Sequence, residues 1–205
     1  MIKMVNNKIE FCKILLKTGA IKFGVFKLTS GKMSPYYIDL RLILSFPDAL
    51  KKVIEFYEEV ARKEVGVENF QRIAGVPTAG LPFASILAFK LDKPLIYVRK
   101  EAKAHGRERK VEGLLYPGDK VLVVDDLVTT GKSMVKAVKS IRAEGGKVSN
   151  ALALIDREEG GVKNLGREKV KLACFIKVSE IVKKLLELGA VEAEKLKGMV
   201  GETVK

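Results

Sequence analysis

Asp125 and Asp126 are adjacent carboxylates, followed after Leu127 and Val128 by Thr129-Thr130-Gly131-Lys132-Ser133, a small, hydroxylic run with one glycine. Two neighbouring carboxylates suit a ligand rich in hydroxyls, or a hard metal ion. A hydroxylic turn that opens a helix offers free backbone N–H groups and the positive end of the helix dipole to a phosphate. Together the two features point to a sugar phosphate. Three rival readings compete with this one. Gly131-Lys132-Ser133 has the tail of a P-loop, but that motif needs a glycine five residues earlier, where Asp126 stands. An apolar strand ending in Asp could instead partner a P-loop, yet the chain contains none. The last is an ordinary strand–turn–helix with two solvated acids. Against it, the end of a parallel strand is where such sheets bind ligands.

The flanking residues say how these groups are held. Val121-Leu-Val-Val124 is apolar and mostly β-branched, and reads as a buried strand of a parallel sheet that ends at the Asp pair. Met134, Val135, Val138 and Ile141 follow at helical spacing and stop at Gly145-Gly146. The same alternation recurs along the chain. Strands are expected at 73–76, 95–98, 151–155 and 172–176, a turn at Pro77-Thr-Ala-Gly80 and a helix over 81–91. Pro47-Asp48 opens a long helix whose apolar face is Leu50, Val53, Ile54, Tyr57, Val60 and Ala61. Ser179 is expected to cap a terminal helix carrying Ile181, Val182, Leu185, Leu186 and Leu188. Before all this, a first helix ends at Gly19. Phe23, Val25 or Phe26, and Leu28 then alternate roughly as a strand, Ser30-Gly31-Lys32 turns, and Tyr36 to Leu40 returns. The expectation is an α/β fold: a mainly parallel central sheet flanked by helices (46–205), with an N-terminal helix and a small hood (1–45).

A chain of 205 residues with 47% hydrophobic and 31% charged residues can bury a proper core and is not a disordered sequence. Its 38 Lys+Arg against 25 Asp+Glu give +13, which suits nucleic acid, an anionic substrate or plain solubility, and composition does not choose among them. One histidine and two distant cysteines, Cys12 and Cys174, cannot form a metal-type Cys/His cluster. Both cysteines lie in apolar patterns and read as buried thiols of a reducing compartment. The start has no signal-peptide run and no long apolar span follows, so a cytoplasmic protein without membrane partners is expected.

Two further segments carry chemistry. Arg99-Lys-Glu-Ala-Lys-Ala-His-Gly-Arg-Glu-Arg-Lys110 gathers Arg99, Lys100, Lys103, Arg107, Arg109, Lys110 and the single histidine, His105. It reads either as a solvated charge run or as a mobile lid (99–113) that closes on a polyanion and excludes water. Asp156 and Arg157 directly follow a strand, which would put them on the same rim as Asp125. Arg157 could fork onto a carboxylate of a ligand, or pair with Glu158 or Glu159 at the surface.

These motifs, taken in order, resemble the type I phosphoribosyltransferases. The run 125–133 is similar to that family's phosphoribosyl pyrophosphate (PRPP) motif. The resemblance implies that Asp125 and Asp126 hold the ribose hydroxyls, while Leu127, Val128, Thr129, Thr130, Gly131, Lys132 and Ser133 wrap the 5′-phosphate. It also implies that the backbone amides at Thr78, Ala79 and Gly80 bind pyrophosphate. Arg99-Lys-Glu-Ala-Lys-Ala-His-Gly106 resembles the catalytic loop of the orotate phosphoribosyltransferases, so Arg99, Lys100, Lys103 and His105 are expected to grip pyrophosphate. Lys103 matches the loop's catalytic position, and Lys103, His105, Asp125 and Asp126 form the implied catalytic set. The hood, from Phe23 to Tyr37, resembles the same enzymes' N-terminal signature, in which the aromatic pair lies over or beside the flat base. Tyr36 and Tyr37 take that place here, with hood packing as their plain alternative. Thr129 and Arg157 match residues that touch orotate and its carboxylate.

The resemblance further implies Mg²⁺ carried by PRPP without direct protein ligands, and a homodimer in which loop 99–110 reaches the neighbouring active site. No nucleic-acid partner is expected. Two positions depart from bacterial relatives, which carry Lys where this chain has Thr29 and Ala79. The implied reaction is phosphoribosyl transfer from PRPP to orotate, giving orotidine 5′-monophosphate and pyrophosphate. Some relatives fuse a decarboxylase to this domain, for which 205 residues leave no room. The competing functions are a PRPP-sensing regulator and a transferase for another base.

Overall fold

The computed structural model describes residues 2–27, 33–99 and 110–190. The chain forms two compact units, one made of 1–51 and 179–205, the other of 52–178.

In the first unit, α1 (Ile2–Lys17) ends where Gly19 takes a positive φ of 67°, as the sequence leads one to expect. Phe11, Cys12 and Leu15 on its apolar face are fully buried. β1 (Ile21–Lys27) and β2 (Met33–Ile38) form a two-stranded antiparallel sheet, separate from the main one, with Phe23 opposite Tyr36. β2 begins and ends earlier than the expected 36–40. Asp39 is the reason: its carboxylate accepts from the Arg41 amide (3.1 Å) and from Arg41 Nε and Nη2 (2.7 Å each), capping a short 3₁₀ turn over Leu40–Ser45. The helix α2 (Pro47–Val60) starts in this unit and runs on into the second.

The second unit is built on a six-stranded sheet. Its strands are β3 (Arg72–Gly75), β4 (Leu95–Val98), β5 (Val111–Glu112), β6 (Lys120–Val128), β7 (Lys147–Asp156) and β8 (Lys171–Lys177). They lie in the order β5-β4-β3-β6-β7-β8, all parallel except β5 against β4. The helices are α3 (Gly80–Lys90), α4 (Lys132–Ala143) and α5 (Gly161–Arg167). Both faces of β6 are covered, which is why Leu122, Val123 and Val124 are 0% exposed and read as an unbroken apolar run. On one face Val121, Val123, Ala151 and Ala153 meet Met134, Val138 and Ile141 of α4 in a single cluster. α3 packs on β3 and β6. Phe56 of α2 stacks on Phe175 of β8, ring centroids 4.5 Å apart.

The chain leaves β3 for β4 on one side and returns to β6 on the other. This makes the C-terminal ends of β3 and β6 a topological switch point, the place in an open α/β sheet where loops part and leave a crevice.

Further expectations change in the second unit and at the last described helix. β6 does not end at the acids; it continues through Asp125 and Asp126 to Val128, because β7 goes on pairing with it as far as Val128↔Asp156. β5 and α5 were not expected. Finally, α6 (Val178–Glu187) begins before Ser179, which therefore lies inside its first turn and is not its cap. Lys8 of α1 pairs with Glu180 of α6 at 2.6 Å, within the first unit.

Candidate active site

Asp125 and Asp126 stand in the second half of β6, only 8% and 7% exposed. The Asp126 amide donates to Asp125 Oδ1 at 2.9 Å. Burial, and then the charge and side chain of Asp126, push the Asp125 carboxyl well above its ordinary 3.8; the single amide bond opposes them. The pair is thus a reluctant anion, poised for a partner that brings hydroxyl donors or positive charge.

The turn after β3 closes directly on this pair. Thr78 is exposed, Ala79 half-buried and Gly80 buried, with a cis peptide between Pro77 and Thr78. A Cβ at Gly80 would lie 2.5 Å from Asp125 Oδ1 and 2.6 Å from its Cα, so only glycine lets α3 start against the acid. Ala79 gives that helix no side-chain cap, leaving its first amides to an anion.

The second anion site follows β6. Gly131 adopts φ 75° at the N-cap of α4 and again supplies no side chain to the first-turn amides. Asp125 and residues 127–134 enclose a cavity of about 130 Å³. Thr129 and Thr130 are half-buried on its wall, Gly131 is buried, and Lys132 and Ser133 are exposed. α5 holds the turn from behind. Asn164 Nδ2 donates to the Thr130 carbonyl at 2.8 Å, and a Cβ on Gly161 would collide with Val128. A larger groove of about 780 Å³ shares Thr130 and Lys132 with this cup and is edged by Lys110, Lys136, Lys139 and Arg167.

Arg157 is 8% exposed and joined to the same rim, its amide donating to the Val128 carbonyl at 2.8 Å. Its Nε lies 2.9 Å from Glu159 Oε1, the pairing foreseen for a surface arginine, though the residue is not at the surface. Asp156 is 2% exposed and accepts from the Glu158 amide at 2.8 Å, which shapes the turn that carries Arg157. Arg99 leaves β4 with its amide donating to the Lys110 carbonyl (2.8 Å) and Nη1 to Glu112 (3.1 Å). Lys100, Lys103 and His105 lie outside the described residues, as does Thr29. Tyr36, half-buried, and Tyr37, 40% exposed with Phe26 at 5.7 Å, belong to the first unit.

The second unit therefore gathers Thr78–Gly80, the acidic pair, the run 127–133 and Arg157 on one sheet edge. Sequence reading missed Asn164 and Tyr57. Nothing marks Asn164 beyond a short polar stretch between glycines. Tyr57 sits correctly on the apolar face of its helix, but that reading gave its hydroxyl no partner; the hydroxyl donates to the Asp125 carbonyl at 2.9 Å. Among the described residues no group of three or more His, Cys, Asp or Glu is arranged to hold a metal by itself.

The family model of the phosphoribosyl transferase domain matches residues 42–184. The orotate phosphoribosyltransferase of Sulfolobus acidocaldarius is 44% identical over 193 residues, spanning 94% of this chain and 95% of that protein. The orotate phosphoribosyltransferase of Pyrococcus furiosus is 38% identical over 187 residues, spanning 91% and 100%. The crystal structure of orotate phosphoribosyltransferase from Aeropyrum pernix aligns with a TM-score of 0.78 at 39% identity, covering 88% of this chain and 99% of that one. Leishmania donovani UMP synthase aligns at 0.83 and 32% identity, covering 95% of this chain and 42% of that one.

Proposed function

The chain belongs to the orotate phosphoribosyltransferases of the phosphoribosyl transferase domain family, and from that premise we infer how its residues divide the work. It transfers the 5-phosphoribosyl group of PRPP to orotate, giving orotidine 5′-monophosphate and pyrophosphate. One observation carries the division of roles: a buried acidic pair between two uncapped helix starts on a single sheet edge.

The cup over 127–133 binds the 5′-phosphate through first-turn amides and the hydroxyls of Thr129, Thr130 and Ser133. Asp125 and Asp126 accept from the ribose hydroxyls and sit where positive charge grows as C1 loses its leaving group. The amides at Thr78, Ala79 and Gly80 receive the diphosphate, with Arg99, Lys100, Lys103 and His105 assigned to the same group by resemblance. Mg²⁺, carried by PRPP, supplies neutralising charge at that leaving group. The orotate contacts we assign are Tyr36, Tyr37, Thr129 and Arg157, and Arg157 must exchange Glu159 for the substrate carboxylate. A homodimer with shared loops and a cytoplasmic setting belong to the same proposal; no helix among the described residues is long and apolar enough to cross a membrane.

Lys103→Ala separates this enzyme from a PRPP-sensing regulator of the same fold. Orotate consumption is expected to fall by at least about a hundredfold, as for removal of one strong transition-state donor, with PRPP affinity within a few-fold. Undiminished turnover in the variant, or none in the wild type despite PRPP binding, contradicts the reading.

A further inference from the structure

Tyr57 is the largest fully buried side chain among the described residues, 0% exposed, on a helix that contributes no residue to the reaction described above. A buried phenol needs a hydrogen-bond partner. Tyr57 takes the backbone carbonyl of Asp125, at 2.9 Å. The choice of a carbonyl matters, because it fixes the residue without adding a further partner to its carboxylate, whose Oδ1 already accepts from the Asp126 amide. The ring has a second contact: it stacks with Phe83 of α3, centroids 5.7 Å apart and planes 28° from parallel. Phe83 is itself 0% exposed and lies one turn into the helix whose first residue, Gly80, abuts Asp125.

We propose that Tyr57 is a positioning residue for PRPP, which sets the acidic pair through its hydroxyl and the pyrophosphate turn through its ring. The inference rests on the functional reading given above. The ribose contact and the diphosphate contact lie on different elements, and their spacing must match one substrate molecule. A single side chain that touches β6 and α3 holds that spacing. Burial, followed by the charges of Asp126 and Asp125, raises the Tyr57 phenol well above 10, so it remains a donor throughout any ordinary assay range.

The test is Tyr57→Phe, which keeps the ring and removes the hydroxyl, beside Phe56→Leu as a packing control. Phe56 is the next residue on the helix and stacks on Phe175, away from the acidic pair. In Tyr57→Phe the KM for PRPP is expected to rise roughly tenfold, the scale of one lost buried hydrogen bond, with the KM for orotate within twofold. Phe56→Leu should lower the Tm by as much or more and leave the KM for PRPP unchanged. If Tyr57→Phe loses thermal stability with no change in the KM for PRPP, or if Phe56→Leu raises that KM equally, Tyr57 is structural only and the inference fails. Wild-type protein assayed alongside keeps the two claims apart. Absence of orotate turnover there contradicts the functional reading, whereas normal turnover with an unresponsive Tyr57→Phe contradicts this inference alone.

Discussion

Asp125 holds a carboxyl that is 8% exposed, beside a second carboxyl, with one amide donor to offset the burial. Its raised proton affinity means that the ligand-free fold is favoured by protonation. The stability this group lends is therefore full below its ordinary 3.8 and is lost as the pH climbs through the raised value. Asn at this position keeps the shape and removes the charge. Asp125→Asn is expected to raise the ligand-free Tm at pH 7 by a few degrees, since each pKa unit is worth ~1.4 kcal/mol. The gain should vanish near pH 3 to 4. The same variant should bind PRPP poorly. Thermal melts across pH check the first statement and PRPP titration the second; a Tm that falls at pH 7 contradicts the account. Arg157 allows a similar separation. Arg157→Ala should raise the KM for orotate by about tenfold to a hundredfold, the worth of a charge-assisted bond, and leave the KM for PRPP unaltered. Equal effects on both substrates would remove Arg157 from the base site.

At the scale of elements, the active edge depends on helices that begin very close to strands. Gly80→Ala must push the start of α3 off Asp125, because the added Cβ meets that residue's Cα at 2.6 Å. We expect a loss of about 1–3 kcal/mol in stability, the usual result of forcing an atom into a packed site, and a KM for PRPP raised at least tenfold. An alanine variant with wild-type kinetics would mean that the turn does not carry the diphosphate. Much of this edge was legible in the sequence. The apolar run Val121–Val124, the acids after it and the hydroxylic turn are each local signals, and spacing alone rules out the P-loop alternative. What was not legible is instructive. The strand was expected to stop at Asp125, since carboxylates rarely lie within a sheet; pairing with β7, a contact remote in sequence, carries it on to Val128. β5 is two residues long and exists only because β4 offers an edge. α5 follows Gly160, begins at Gly161 and contains Gly166, so its composition reads as a loop; it is held by Asn164 on the Thr130 carbonyl and by close contact with Val128. The hydroxyl of Tyr57 shows the same limit, for periodicity places a residue on a face and is silent about the atom it meets.

For the whole molecule, the charge of +13 agrees with a site that handles a diphosphate, a phosphate and a carboxylate, although most of those lysines and arginines are elsewhere. The proposed sharing of loop 99–110 between subunits makes a prediction that needs no structure of the dimer. Lys103→Ala and Asp125→Asn chains, each inactive alone, should complement when mixed. Random reassortment gives half hybrids with one intact site in two, hence about a quarter of wild-type activity in a closed two-fold dimer. Activity that stays at the sum of the two variants would place Lys103 and Asp125 of one chain in one site. The central claim, phosphoribosyl transfer to a base that bears a carboxylate, is tested most directly by incubating the purified protein with PRPP, Mg²⁺ and one base at a time, and measuring pyrophosphate release. Orotate alone should support turnover, with uracil, hypoxanthine and adenine at background. Turnover of uracil or a purine in place of orotate would contradict it.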